Sequence, residues 1–225
     1  MRIEGVEALW VQNPPEMKAP YRWLIVKVHT DKGITGIGES GYHGMPDAAE
    51  AAIEAQKRYL IGQDPFRIEH HFQFLYRFSH FRGAAITASL SAVDIALWDI
   101  LGKALDMPVY QLLGGKVRDK CRVYIHIKGD NPDELAADAQ RAVKAGFTVL
   151  RFSPFSPDYY NLAYSGLIED AVKHVAAVRE TVGFGVDICI DAHRRLSPAE
   201  AITLGQELEK FRLMFYEDPI RPDSV

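Results

Sequence analysis

Val186-Asp187-Ile188-Cys189-Ile190-Asp191-Ala192-His193 and Leu213-Met214-Phe215-Tyr216-Glu217-Asp218-Pro219 are two short, mostly apolar runs, each reaching a carboxylate and then turn residues. Helical periodicity fills the interval between them, so they read as consecutive parallel strands of a β/α fold. Asp191 and Glu217 stand at equivalent strand ends, 26 residues apart, with His193 two residues past the first. Two acids so placed are what a divalent-cation site needs. Hard oxygen ligands in small number, leaving room for water and substrate oxygens, favour Mg2+ over zinc. Asp187 starts its strand, lies at the opposite end and reads as structural.

Upstream the same plan repeats. Residues 122–128 and 148–152 read as two earlier strands, giving strand starts at 122, 148, 186 and 213. Asn131-Pro132-Asp133-Glu134 and Ser197-Pro198-Ala199-Glu200 open the helices that follow the first and third strands. Each has a capping residue, proline at the first helical position and glutamate three after the cap. A further helix is predicted over 167–181. Units of this kind build a TIM-type barrel, whose chemistry lies at the carboxyl ends of its strands. His126 or Lys128, Arg151, Asp191 and Glu217 occupy those ends. The second unit is about eleven residues longer than its neighbours, and the excess falls in the βα loop 153–164. Such loops rim the active face, so this one reads as a lid or specificity loop. Four strands cannot close an eight-stranded barrel, and the chain alone is not expected to form a competent metal site.

The first 120 residues follow another pattern. Strands are predicted over 3–11, 21–30 and 34–39, with Asp31-Lys32-Gly33 as the hairpin turn. Helices are predicted over 47–60, 65–78 and 84–105, making an α+β module over 1–120 ahead of the half-barrel at 121–225. In the third helix Ile86, Leu90, Val93, Leu97, Ile100 and Leu101 form a core face, and Asp99 and Lys103 an i,i+4 pair. His43, in the loop 40–46, is a candidate for contact with a ligand.

The net charge of −4 gives no basic face for nucleic acid, and no run of eighteen apolar residues points to a membrane. Cys121 and Cys189 lie in or beside strand runs and read as buried free thiols, in keeping with the cytoplasm.

Ser91-Ala92-Val93-Asp94-Ile95-Ala96-Leu97-Trp98-Asp99-Ile100-Leu101-Gly102-Lys103, then Pro108-Val109-Tyr110-Gln111-Leu112-Leu113-Gly114-Gly115, resembles the linker region of the enolase superfamily, in its mandelate racemase/muconate lactonizing branch. Gly33-Ile34-Thr35-Gly36-Ile37-Gly38-Glu39 is similar to the hairpin of that branch's capping domain. The resemblance implies that acids ending barrel strands three, four and five bind Mg2+, the first two matching Asp191 and Glu217. Arg151 and Ser153 stand where racemases carry a Lys-x-Lys base, and serine has no useful basicity near neutral pH. Asp191-Ala192-His193 is similar to the Asp-x-His of acid-sugar dehydratases of the galactonate and mannonate type. In the mannonate type an arginine ending strand two partners a loop tyrosine as base, which makes Tyr159, Tyr160 and Tyr164 the candidates here. The galactonate type uses a histidine late in the barrel that this chain does not contain.

The resemblance thus implies a hydro-lyase acting on an aldonic or aldaric acid, with α-proton abstraction, an enediolate and β-elimination of water to a 2-keto-3-deoxy acid. His193 would be the general acid, since imidazoles titrate near pH ~6.5. Arg151 would be an electrostatic partner rather than a base, because guanidinium keeps its proton in water. His43, His126 and Lys128 are the candidates for holding the substrate. The expected partners are a small-molecule sugar acid and further copies of the chain. Two alternatives stand beside this reading: another racemase or epimerase of the superfamily, and a non-catalytic binding or regulatory protein or inactive partial chain.

Overall fold

The computed structural model describes residues 1–14, 16, 22–41, 45–78, 80 and 83–222. They form two compact units, Met1–Asp119 and Lys120–Val225.

In the first unit β1 (Ile3–Gln12), β2 (Arg22–Thr30) and β3 (Thr35–Ser40) form an antiparallel meander. Alternate β2 residues Leu24, Val26, Val28 and Thr30 are buried, as a half-buried strand requires. The hairpin turn places Gly33 at φ +74°, a left-handed conformation that glycine adopts without steric cost. Three helices follow: α1 (Pro46–Leu60), α2 (Ile68–Arg77) and α3 (Ala84–Ala104). By length and composition α3 could cross a membrane; here Ala92, Val93, Ala96, Leu97 and Ile100 are buried with the sheet in one core.

The contact of α3 with β3 depends on two glycines. A Cβ at Gly36 would lie 2.0 Å from the Ala96 carbonyl oxygen, and one at Gly38 would lie 1.9 Å from that of Ala92. No side chain fits. Asp99 accepts the Ile37 N–H at 2.8 Å and pairs with Lys103 at 2.7 Å, while Lys103 donates to the Thr35 carbonyl. The pair therefore joins helix to strand as well as bridging one helical turn. Half-buried Asp94 is pushed above the usual carboxylate range by burial and then by Glu69. A short helix not expected from periodicity, α4 (Val109–Leu112), follows Pro108.

The second unit is a parallel sheet of β4 (Ile125–His126), β5 (Val149–Phe152), β6 (Asp187–Asp191) and β7 (Phe215–Glu217), in sequence order. The helices α5 (Pro132–Lys144), α6 (Tyr164–Val182) and α7 (Pro198–Leu208) alternate with them. Asn131 accepts the Glu134 N–H, and Ser197 and Glu200 form a complete capping box, both as expected. Leu150, Ile188 and Ile190 are buried with Leu135, Ala171, Val175 and Leu204 in a separate core.

Three expectations are corrected here. The strand expected over 122–128 is reduced to Ile125–His126, with the Ile127 N–H donating to the Arg151 carbonyl at 2.9 Å just beyond it. Before it, Arg122 directs its guanidinium to Asp187 and Thr148, and Val123 is exposed. Cys121 accordingly is exposed, whereas Cys189 is buried, and burial pushes its thiol up to about 11. In addition, α6 begins at Tyr164, three residues before the predicted 167, and takes the end of the long loop into its first turn.

Candidate active site

Parallel pairing sets Asp191 opposite Glu217 and Arg151 opposite Cys189. Arg151 reaches across β6 to both acids. Its Nη2 donates to Asp191 Oδ2 at 2.6 Å and its Nε to Glu217 Oε2 at 2.8 Å. Bonding to Glu217, aided by the charge of both acids against the cost of burial, raises its pKa further. Its Nη1 lies 3.1 Å from His126 Nε2. Burial first, and Arg151 second, lower the His126 pKa against the pull of Asp191 and Glu217. His126 therefore favours the neutral form, which can accept from the guanidinium.

Beyond β6 the chain stays attached to the next strand. Ala192 N–H donates to Glu217 O at 3.1 Å, and Leu196 N–H to Pro219 O at 3.0 Å. Between these ties His193 (φ 52°), Arg194 (φ 58°) and, opposite, Asp218 (φ 41°) adopt left-handed conformations. Such non-glycine conformations cluster at functional sites. Asp191 Oδ1 accepts the His193 N–H at 2.7 Å, and the ring Nδ1 lies 3.1 Å from Oδ2. With Nδ1–H donating to Asp191, Nε2 is the nitrogen left for proton exchange; the side chain is 61% exposed.

A cleft of about 570 Å³ opens at this end of the sheet, lined among others by His126, Lys128, Arg151, Asp191, His193 and Tyr159. Of the three candidate tyrosines the structure brings only Tyr159 to the cleft. Tyr160 is 72% exposed, and Tyr164 donates to Thr203 Oγ1 on α7 at 2.6 Å. His43 lies outside the described residues. Arg195 and Ser156 are among the cleft residues not singled out by the sequence. Arg195 donates to Ser153 Oγ at 2.7 Å, and Ser156, whose N–H and hydroxyl both donate to Asp170 at 3.0 Å, holds the loop down. The signal available for Arg195 was its place two residues past His193, in the same strand-end loop.

Residues 14–114 match the family model described as mandelate racemase/muconate lactonizing enzyme, N-terminal domain, and residues 134–225 the one described as enolase C-terminal domain-like. The chain belongs to the mandelate racemase/muconate lactonizing enzyme family. It is 40% identical to a D-galactonate dehydratase of Pectobacterium atrosepticum over 92% of its own length and 54% of the relative's. A D-galactonate dehydratase of Verminephrobacter eiseniae is 41% identical over the same shares. Among solved structures, an enolase from Pantoea ananatis with bound D-gluconate and Mg superposes with TM-score 0.89 at 28% identity, covering 100% of this chain and 61% of that one. A mandelate racemase/muconate lactonizing enzyme from Jannaschia sp. gives 0.87 at 31% identity, over 99% and 62%. The chain thus spans about half the length of the curated relatives it matches.

The donor set of this family member suits a divalent metal in kind: Asp191 and Glu217 turn carboxylate oxygens toward one shared cationic group, Arg151. Among the described residues no third His, Cys, Asp or Glu joins them.

Proposed function

We propose that this chain carries the acid-sugar dehydratase chemistry of its family, a hydro-lyase reaction on an aldonic or aldaric acid with Mg2+ as cofactor. The observation that carries this is the Asp191–His193 contact beside a strand end that presents Arg151 and Ser153 instead of paired lysines. Asp191 and Glu217 would hold the metal. When bound, the metal supplies positive charge at the substrate carboxylate, without which the α-proton is too weakly acidic to remove.

The chain's own residues account for the remaining requirements. Asp191 fixes the tautomer of His193, so that the imidazolium can give its Nε2 proton to a departing β-hydroxyl. Arg151 supplies fixed positive charge beside the reacting carbons. Tyr159 is the candidate tyrosine that lines the cleft, and as the phenolate it would take the α-proton and become the phenol. Lys128 and His126 line the wall against which substrate hydroxyls would lie. The two cysteines, free of any disulfide, accord with a cytoplasmic enzyme.

The test is a screen of aldonic and aldaric acids with Mg2+ for keto product. It is run on the chain alone and on a folded fusion of the chain to the remaining half of the Pectobacterium relative. His193→Asn should abolish product in the active form while leaving Mg2+ affinity nearly unchanged. No product from any acid in either form overturns the reading. The hold of Arg151 on both acids favours a second reading, in which the site is neutralised by its own cation and the fold serves binding. A Mg2+ titration that shows no saturable binding to the fusion would select it.

A further inference from the structure

We propose that Arg195 is a positioning residue that fastens the 153–163 loop across the cleft and presents Tyr159 to it. The placement of Arg195 is determined on both sides. Before it, His193 and Arg194 turn the chain through two left-handed residues. After it, Leu196 is fully buried and bridges to Ile220. The side chain then meets the loop at three points. Nη1 donates to Ser153 Oγ at 2.7 Å, where the loop leaves β5, and the guanidinium carbon lies 5.8 Å from the Phe155 ring centroid and 5.1 Å from that of Tyr159. Both ring contacts are within cation–π range.

The contrast with Arg151 shows what this cation is for. Arg151 is neutralised by two carboxylates. Among the described residues no carboxylate pairs with Arg195; its partners are a hydroxyl and aromatic faces, all on one loop. Asp170 grips that loop at Ser156, and Phe155 is buried. Tyr159 heads the single turn Tyr159–Asn161 between these anchors and α6. Tyr160 packs edge-on against Tyr159, with ring centroids 5.8 Å apart, and Tyr164 bonds to Thr203, so Tyr159 is the one of the three that meets the Arg195 guanidinium.

The same geometry explains the departure at position 153. A lysine there would bring its ammonium against the Arg195 guanidinium, whereas serine offers an acceptor. A basic residue at 153 and Arg195 in this position exclude each other, which couples the loss of a lysine base to the positioning of a tyrosine. This last step rests on the dehydratase reading; the loop-fastening role does not.

The experiment labels the chain with 3-fluorotyrosine and identifies the Tyr159 resonance from Tyr159→Phe. Arg195→Met should move that resonance, leave that of Tyr164 in place, and raise amide exchange across 153–163 by about 10-fold. Arg195→Lys, which keeps the charge, should restore part of the shift. An unmoved Tyr159 resonance with unchanged exchange overturns the proposal. Should every tyrosine move, Ser153→Ala decides: the same directional shift of Tyr159 supports the proposal, and none overturns it. In the active fusion, Arg195→Met added to Tyr159→Phe should slow turnover no further, because residues acting as a unit are not additive; multiplying losses overturn the action through Tyr159. A fusion without dehydratase activity defeats the functional reading and leaves the fluorine result standing.

Discussion

An arginine closes each end of the parallel sheet, and the two do opposite things. At the amino ends Arg179 is buried and donates to backbone carbonyls of Phe211, Gly183, Val186 and Arg212. Those carbonyls have no ladder partner there, so the guanidinium completes the backbone's own hydrogen bonding. At the carboxyl ends Arg151 donates to side chains instead, holding Asp191 and Glu217. Carboxylates can exchange one cation for another; orphaned carbonyls cannot. The amino end is therefore scaffold, and the carboxyl end, with its three left-handed residues, keeps groups whose partners can change.

The largest expected effect lies at the amino end. Arg179→Met should cost about 3 kcal/mol in urea unfolding, since the buried Val186 carbonyl and three part-buried ones lose their donor, and Mg2+ should return none of it. A loss under about 1 kcal/mol would erase the distinction between the ends. Arg151→Met comes next, at about 2 kcal/mol without metal, because Glu217 is partly exposed and its lost pairing is screened. In the fusion to the relative's remaining half, added Mg2+ should recover part of this, read as a rise in Tm absent from the Arg179 variant. If Mg2+ leaves the Tm of the Arg151 variant unchanged, the two arginines are equivalent after all.

The smallest effect concerns the start of α7, below the carboxyl-end loop. Burial alone would raise the Glu200 carboxyl, but hydrogen bonds from the Ser197 N–H and hydroxyl bring it below its usual range. A lowered folded value gives stability that is present above the unfolded value and lost as pH falls through the folded one. Glu200→Ala should thus cost about 1 kcal/mol at pH 7 and less at pH 3. A loss independent of pH would assign the contribution to packing rather than to the carboxylate.

Much of the scaffold was legible because its causes are local. The caps at Asn131 and Ser197, the glycine turn at Gly33 and the alternation in β2 each depend on a few adjacent residues. The acids at β6 and β7 were legible for a similar reason, as each ends a short apolar run. The grip of Arg151 on both acids was not, since its partners are 40 and 66 residues away. Nor was the choice among three tyrosines, which depends on where α6 begins and on what Thr203 offers Tyr164. The shortened β4 and the exposed Cys121 failed as predictions because an apolar run does not reveal that Arg122 bonds to Thr148 and Asp187 ahead of the strand.

The fit of Gly36 and Gly38 under the backbone of α3 has a consequence for inheritance. Some sixty residues separate the hairpin from the helical carbonyls it touches, yet neither side tolerates an added methyl group on the strand. A crossover between relatives that falls between the two segments would combine a strand and a helix never selected together, at the place with least room for error. Recombination in this first unit should accordingly succeed where the exchanged block carries both segments and fail where it divides them.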